Sequence, residues 1–564
     1  MKINFFFLTL LLVCSNLTGQ SFDRMPDSSF DIKELSGESS FKIGLSEENN
    51  SFKYESIFLN QKFVNIISFL QDLPMKNSNF AIQTIINDIL TSDFNIDNLD
   101  LSDEEDQKLF EIRINKLFEI ADFNSIDKIY TKTSSDFSNE NINLKRIEGF
   151  FLRNEYRNAC QLLNNDDFKK SSTFGKFEII CSIFNQDFEK ARFNLSLLKE
   201  NNEPGDNLFI ELCYNIMGDI NLSKSKLVSE KLENISSLNP ILLSSLQIAE
   251  ISPNFEHIRN APISFLTFIL SSPSSSIDIK LYTAEILVRQ NRIQNSMLAE
   301  IYQLITFNPE EIKDALRLYK SLSPVRARSL LYQALISEKN QEVKYQIIKA
   351  LLKHSKNDKL FSNISYLVKN SVNFFEIDGL LNDDISLISE VYSCVENYDM
   401  AFAFLAKQYE SNKQNIDDYE LKLTLIKLKE YITNRENFNI LDFENFIDQI
   451  LLEKKVSKEV ENLILVSNLL FKFHESLSNK MLSINQFVDK KRLDTNPIDF
   501  YMGIKASEDK SYFNSLKIIF KILDNKEIFD LNDLEAFLIL KILLDLDLQE
   551  AFKSLSTEFL LYRT

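Results

Sequence analysis

The chain reads as all-α, an α-solenoid of stacked helical hairpins with degenerate repeats. Three observations predict this. There are only 9 Gly and 10 Pro in 564 residues, too few for sandwiches, barrels or doubly wound sheets, whose turns draw on both. No proline occurs from Val325 to Asn496, so long helices joined by short polar loops are expected there. Finally, similar residues recur in columns 32 positions apart over the second hundred residues.

The N-terminus comes first. Met1-Lys2 is a short positive start, Asn4 to Val13 (NFFFLTLLLV) a compact apolar run, and Ser15 to Gly19 (SNLTG) a small polar exit. This three-part layout is that of a secretory signal peptide, and the apolar run is too short to span a bilayer. Residues 1–19 are therefore expected to be removed near Gly19, leaving a periplasmic or secreted protein. Leu11-Leu12-Val13-Cys14 loosely resembles a lipobox, but Val13 is bulkier than the Gly, Ala or Ser that motif carries. Lipidation at Cys14 is thus the lesser expectation, and a hydrophobic N-terminal helix of the folded domain is another. Residues 20–52 are rich in Ser, Asp and Glu and show little periodicity, and are expected to form a flexible acidic leader.

Residues 53–235 are expected to be an N-terminal helical-repeat segment. Its columns read Gly149, Cys181, Cys213; Leu152, Phe184, Ile216; Glu155, Asp187, Asp219; Tyr156, Phe188, Ile220; Ala159, Ala191, Ser223; and Leu163, Leu195, Leu227. Each unit is a helix, a short turn at the acidic residue, and a second helix. Small residues at 149 and 181 and at 159, 191 and 223 allow close helix approach. The acidic residue stands at the N-terminus of the second helix, where it can cap free N–H groups and meet the positive end of the dipole. The leucine four residues after the small position continues the buried face.

Prolines then cluster at Pro240, Pro253, Pro262, Pro273, Pro309 and Pro324, and Ser271 to Ser276 reads SSPSSS. Residues 236–276 are expected to be a Pro/Ser-rich break within the stack, either a longer connection or a binding loop. Residues 277–564 are expected to form a C-terminal helical-repeat segment. Hairpins are legible at Leu281 to Leu298 around Gln290-Asn291, at Val391 to Leu405 around Asn397-Tyr398, and at Phe537 to Leu561 with a turn between Asp545 and Asp547.

The formal charge is −19, and Lys2 is the only charged residue ahead of Gln20. A chain this acidic, without a basic stripe, is not expected to bind nucleic acid or anionic membrane. After the N-terminal run nothing approaches ~20 uninterrupted apolar residues, so no transmembrane segment is expected. The composition, 44% hydrophobic and 26% charged, is that of a folded protein.

No stretch spells a catalytic, cofactor or metal site. Cys160, Cys181, Cys213 and Cys394 show no C-x-x-C spacing, which removes the zinc-ribbon and thioredoxin patterns. Export permits disulfides. Cys160 lies on the second helix of one unit and Cys181 on the first helix of the next, so a 160–181 bridge is compatible with stacking; four buried thiols are the other reading. His257, His354 and His474 are scattered, with no HExxH. Nine dispersed glycines make no phosphate loop. Leu99 to Asp106 (LDLSDEED) lacks the central glycine of a calcium loop and reads as a capped helix start.

The repeat columns resemble the tetratricopeptide family, whose hairpins have a near-equal period and small residues at the helix crossing. The resemblance covers about residues 140 to 235, with an incomplete aromatic, Gly and Pro signature. Ala159-Cys160, Cys181, Thr283 to Glu285 (TAE) and the LDLQEAF ending at Phe552 also look like a group of exported helical proteins from alphaproteobacteria with no established activity. Soluble lytic transglycosylases pair a helical superhelix with a catalytic Glu-Ser, and Glu475-Ser476 occurs here, but their downstream Gly-rich run is absent.

These resemblances imply a non-catalytic adaptor or scaffold in the bacterial cell envelope that takes a protein or peptide partner. A peptidoglycan-acting envelope enzyme and a purely structural envelope component are the alternatives. Exposed aromatics along a groove would favour the adaptor, and converging carboxylates in a cleft the enzyme.

Overall fold

The computed structural model describes residues 39–562 apart from 50–51, 78, 97, 134–138, 165–173, 202–205, 221–237, 260, 373–381, 412–415, 435–438, 454–456, 472–478, 480–496 and 525. The expected signal peptide, Cys14, residues 20–38 of the expected leader, His474 and the Glu475-Ser476 pair lie outside the described residues, as do Ser223 and Leu227 of the repeat columns. Every regular element among the described residues is helical and none is a strand, so the fold is all-α. No described helix is long and apolar enough to cross a membrane.

The helices begin where the sequence supplies caps. Asn79 opens α3 (Phe80–Thr91) and accepts from the N–H groups of Ala81 and Ile82. Ser102 and Glu105 form a capping box on α4 (Asp103–Glu119), after a short α1 (Ser46–Asn49) and α2 (Phe63–Gln71). Helices α5 (Phe123–Lys132), α6 (Glu140–Leu152), α7 (Tyr156–Leu163), α8 (Gly175–Phe184), α9 (Phe188–Asn201) and α10 (Asp206–Ile216) follow.

The expected break at 236–276 is instead largely helical and packed. It holds α11 (Pro240–Ile248), α12 (Phe255–Arg259) and α13 (Ile263–Ser271). α11 packs on α6 and α10, and α13 on α4 and α6, so the segment folds back over earlier helices. Two of its prolines mark helix starts rather than interruptions, while Pro273 lies in the turn after α13. Pro240 occupies the first turn of α11 and Pro262 precedes α13. A proline there forfeits only an N–H that has no helical partner. Ser244, Ser245 and Ser264 are buried on these helices, whereas Ser272 to Ser276, within the SSPSSS stretch, is the non-helical link between α13 and α14.

The chain continues through α14 (Ile277–Arg289), α15 (Asn295–Leu304), α16 (Pro309–Lys313), α17 (Ala315–Leu318), α18 (Pro324–Ser337), α19 (Gln341–Lys356) and α20 (Phe361–Val372). Next come α21 (Asn382–Cys394), α22 (Tyr398–Ser411), α23 (Ile416–Asn434), α24 (Ile440–Glu453) and α25 (Lys458–Leu470). The last helices are α26 (Pro497–Glu508), α27 (Tyr512–Leu523), α28 (Asp533–Asp545) and α29 (Gln549–Tyr562).

One turn joins many of these helices. Ala121, Asn154, Gln186, Lys359, Glu396, Lys510 and Asp547 all have φ between 52° and 63°. In each case the N–H of the next residue reaches back five positions to a helix carbonyl, as Asp187 does to Ser182 at 2.8 Å and Leu548 to Leu543 at 2.8 Å. This is the Schellman closure, and the residue after it starts the next helix. Gly218, φ 79°, continues the series 154, 186, 218 in the 32-residue register. The acidic residue that follows varies in its work. Asp187 caps α9 through the Lys190 N–H, whereas Glu155 makes no cap and pairs with Arg153 at 3.2 Å.

Two apolar cores form among the described residues. The smaller lies within α6 to α11 and contains Ile147, Phe151, Ala159, Leu163, Ala191 and Leu195. The larger runs from Phe41 to Leu560 and joins the beginning of the chain to its last hairpins. Phe69 of α2 stacks on Phe513 of α27 with centroids 5.1 Å apart, and Tyr54 meets Tyr512 edge-on at 6.1 Å. α3 packs on α29. Asn77 donates to the Lys526 carbonyl at 3.2 Å and Asn79 to Glu558 at 2.5 Å.

Residues 39–49, which fall inside the expected flexible leader, are part of this core. Phe41 and Leu45 are buried. Arg113 explains the anchoring. Its fully buried guanidinium donates to the carbonyls of Phe41 (2.9 Å), Ile43 (2.8 Å), Leu90 (2.6 Å) and Ser92 (2.6 Å). Asp93 receives the N–H groups of Gly44 and Ser46 at 2.6 and 2.8 Å. Gly44 is required by close approach, since a Cβ there would lie 2.3 Å from the Ser92 backbone.

Candidate interaction surface

The 32-residue register produces a hairpin series with its own core and a conspicuous outer face. Gly149 lets α6 approach α5, because a Cβ at that position would meet the Phe123 ring at 3.0 Å. Ala159 and Ala191 are fully buried at equivalent crossings, and Leu163 and Leu195 are buried one turn on. Each small residue permits the tight crossing and each leucine fills the next layer. Phe151 contacts Tyr156 and Phe177 with centroids 5.4 and 5.1 Å apart, tying α6, α7 and α8 together.

A disulfide joins Cys160 on α7 to Cys181 on α8, with Cα atoms 5.6 Å apart. It closes a loop that includes residues 165–173. Cys213, one register step beyond Cys181, is a free buried thiol. Ion pairs fix the next step. Arg192 of α9 grips Asp219 with two bonds of 2.8 Å, and Lys176 reaches the buried Asp206 at 2.5 Å.

On the outward side of this fixed frame two apolar residues of α9 stand among charged ones: Phe193 is 62% exposed and Leu197 45%. Phe184, 51% exposed, meets the Tyr156 ring with centroids 5.8 Å apart at the end of α8. Phe193 and Leu197 are four residues apart on α9 and so share a face, opposite the buried Ala191 and Leu195. Exposed aromatics grouped on rigid elements are a common feature of docking surfaces. The sequence places Phe184 and Phe188 in the register columns, but periodicity alone does not show that Phe193 and Leu197 face outward; that follows only once Ala191 and Leu195 are seen to be the buried pair.

Elsewhere the polar clusters are braces. Arg328 on α18, 1% exposed, donates to Glu285 of α14 at 2.8 and 2.5 Å and also to Asp358. The buried Tyr302 hydroxyl of α15 adds a 2.8 Å bond to Glu285. Burial by itself would lower the Arg328 pKa, but the Glu285 hydrogen bonds and charge outweigh it and raise it. Burial, reinforced by the Glu285 charge, holds the Tyr302 hydroxyl well above its usual range. His354 lies 3.2 Å from Arg328, and burial followed by that cation's charge lowers its pKa. The network fastens α14, α15, α18 and α19 to one another. Burial also raises both free thiols, Cys394 to about 11 and Cys213 further still, so neither is poised as a thiolate near neutrality. Among the described residues no group of three or more His, Cys, Asp or Glu is placed to hold a metal ion.

Comparison with known proteins finds no family model, no curated protein and no solved structure that matches the chain. The candidate surface therefore rests on its geometry.

Proposed function

We propose that this chain is an exported, non-catalytic helical-repeat protein of the bacterial cell envelope, periplasmic or secreted, that holds a protein or peptide partner on the α8–α9 face and serves as an adaptor or scaffold. The observation that carries the reading is the exposed Phe193–Leu197 pair on α9, in a hairpin whose other helix, α8, is tied to α7 by the Cys160–Cys181 disulfide. Apolar side chains held on a rigid frame lose little entropy on binding and gain by leaving water. Disulfides persist in oxidising compartments, which accords with the signal-like N-terminus. The stacked hairpins with small residues at 149, 159 and 191 support the tetratricopeptide-like reading of this segment.

The test is cross-linking of a tagged full-length chain in intact cells, followed by affinity isolation and mass spectrometry. One reproducible protein partner, lost in Phe193→Glu/Leu197→Glu while the variant keeps its helical circular dichroism, supports the proposal. A partner retained by that double variant removes this face from the reading. Recovery of glycan strands without a protein sinks the adaptor and directs work to peptidoglycan digestion with Glu475→Gln as control.

A further inference from the structure

A cavity of about 360 Å³ lies among α21, α22, α23, α25 and α29, within the usual size range of small-molecule sites. Its aliphatic wall includes Leu405, Leu425 and Leu560, and Lys429 of α23, one turn from Leu425, and Ser393 of α21 also line it.

Both polar groups are over nine-tenths buried and uncommitted. Lys429 is 8% exposed, and among the described residues no carboxylate or other acceptor pairs with its ammonium. The nearby Glu390 is already joined to Lys356 at 2.9 Å. Ser393 is 5% exposed, and its Oγ has no hydrogen-bond partner. A helical serine ordinarily bonds back to the carbonyl one turn earlier. Ser355, Ser365 and Ser467 do so at 2.6 to 2.8 Å, and Ser389 donates instead to the Ala401 carbonyl at 2.8 Å. Ser393 does neither. An orphaned buried hydroxyl is costly unless something satisfies it, and the lysine beside it has, among the described residues, no anion to hold. Lys356, Lys422 and Lys429 face Glu390 and Glu459 around the cavity, a surplus of one positive charge.

We propose that this cavity binds a carboxylate-bearing amphiphile. One carboxylate oxygen accepts from Lys429 Nζ, the other accepts from Ser393 Oγ, and the hydrocarbon body lies along the aliphatic wall. A single surplus charge matches a monoanion, whereas a dianion would meet Glu390 and Glu459 with an unneutralised charge. The site is on different helices from the α8–α9 face, so the two proposals stand or fall separately.

Isothermal titration calorimetry of the full-length chain with decanoate tests it, using 1-decanol as the uncharged probe. Saturable one-site binding is expected, weaker for decanol, and reduced about tenfold or more in Lys429→Met, since charge-assisted hydrogen bonds are the strong ones. Ser393→Ala should weaken decanoate severalfold. That variant also decides the matter if Lys429→Met loses its thermal transition, because removing an unpaired buried hydroxyl leaves the fold intact. Absence of saturable heat, or equal affinity for decanoate in the parent chain and Ser393→Ala, overturns the proposal. Phe193→Glu should leave decanoate binding unchanged.

Discussion

Asn79 divides its side chain between two tasks. Its oxygen caps α3, and its amide nitrogen donates to Glu558. Glu558 lies deep in the packing between α29 and the start of the chain, and burial pushes its carboxyl up to about 7 despite the Asn79 bond. Glu527 adds to the rise, while Lys359 and Arg289 oppose it. The sign of the consequence is fixed by linkage. Below about 4.5 the group is protonated both folded and unfolded. Between 4.5 and 7 the unfolded chain releases its proton first, so stability falls as pH rises; above 7 the full penalty stands. Glu558→Gln should therefore be more stable than the parent above pH 7.5, by roughly 3 kcal/mol at most, and converge with it near pH 4. Urea midpoints at several pH values check this, and a pH-independent difference would contradict it. None of this is legible in the sequence. Glu558 sits among ordinary polar residues, and its burial depends on a helix that begins nearly five hundred positions earlier. The same holds for Arg113, whose partners are carbonyls that carry no sequence signature, and for Lys429, one lysine among several on an amphipathic helix.

At the scale of the element, much more is readable. The 32-residue columns mark real hairpins because small residues and leucines at fixed spacing report a tight crossing, and that crossing recurs at 149, 159 and 191. Turn positions are readable to within a residue or two, as at Gln290-Asn291 and Asp545 to Asp547. What spacing supplies only in part is the left-handed residue of each turn: Asn154, Gly218, Asn291 and Asp547 are turn formers, but Ala121, Gln186, Lys359, Glu396 and Lys510 take the same role and are not. Proline misleads for a related reason: it signals a helix start as readily as a loop, and at 240 and 262 it is the former. The disulfide allows a quantitative statement. It bridges a sequence separation of 21 residues, and on chain entropy alone such a closure stabilises by about 3 kcal/mol. Cys160→Ser/Cys181→Ser should lower stability by that order, measured by urea unfolding against the parent under non-reducing conditions. Dithiothreitol should bring the parent to the level of the double variant. If reduction leaves the parent unchanged, the cross-link contributes nothing to this hairpin series.

For the molecule as a whole, the all-α class follows from composition, whereas the tertiary joining does not. Helix caps and hairpins are local, and local residues announce them. The packing of Phe69 on Phe513 and of α3 on α29 is set by shape complementarity between distant segments, which no period in the sequence encodes. The acidic 39–49 stretch illustrates the limit. Only two apolar residues of it, Phe41 and Leu45, are buried, and it is ordered because Arg113 and Asp93 collect its backbone groups. This arrangement has a kinetic side. Hydrogen bonds from Asn77 and Asn79 close sequence separations of 449 and 479 residues. Repeat arrays that touch only their neighbours can nucleate anywhere and propagate, but here α2 and α3, which also pack on α4, complete their packing only after the final hairpin exists. The entropy of closing so long a loop must be met before those contacts return anything, and distant pairings slow folding. Pulse-labelled hydrogen exchange during refolding should show the amides of α8 and α9 protected early and those of α2 and α3 protected last, together with α29. Simultaneous protection of all five would mean that the two ends meet at the start. In the expected order, a chain still emerging from its synthesis would hold its first hundred residues unfinished until its last fifty arrive.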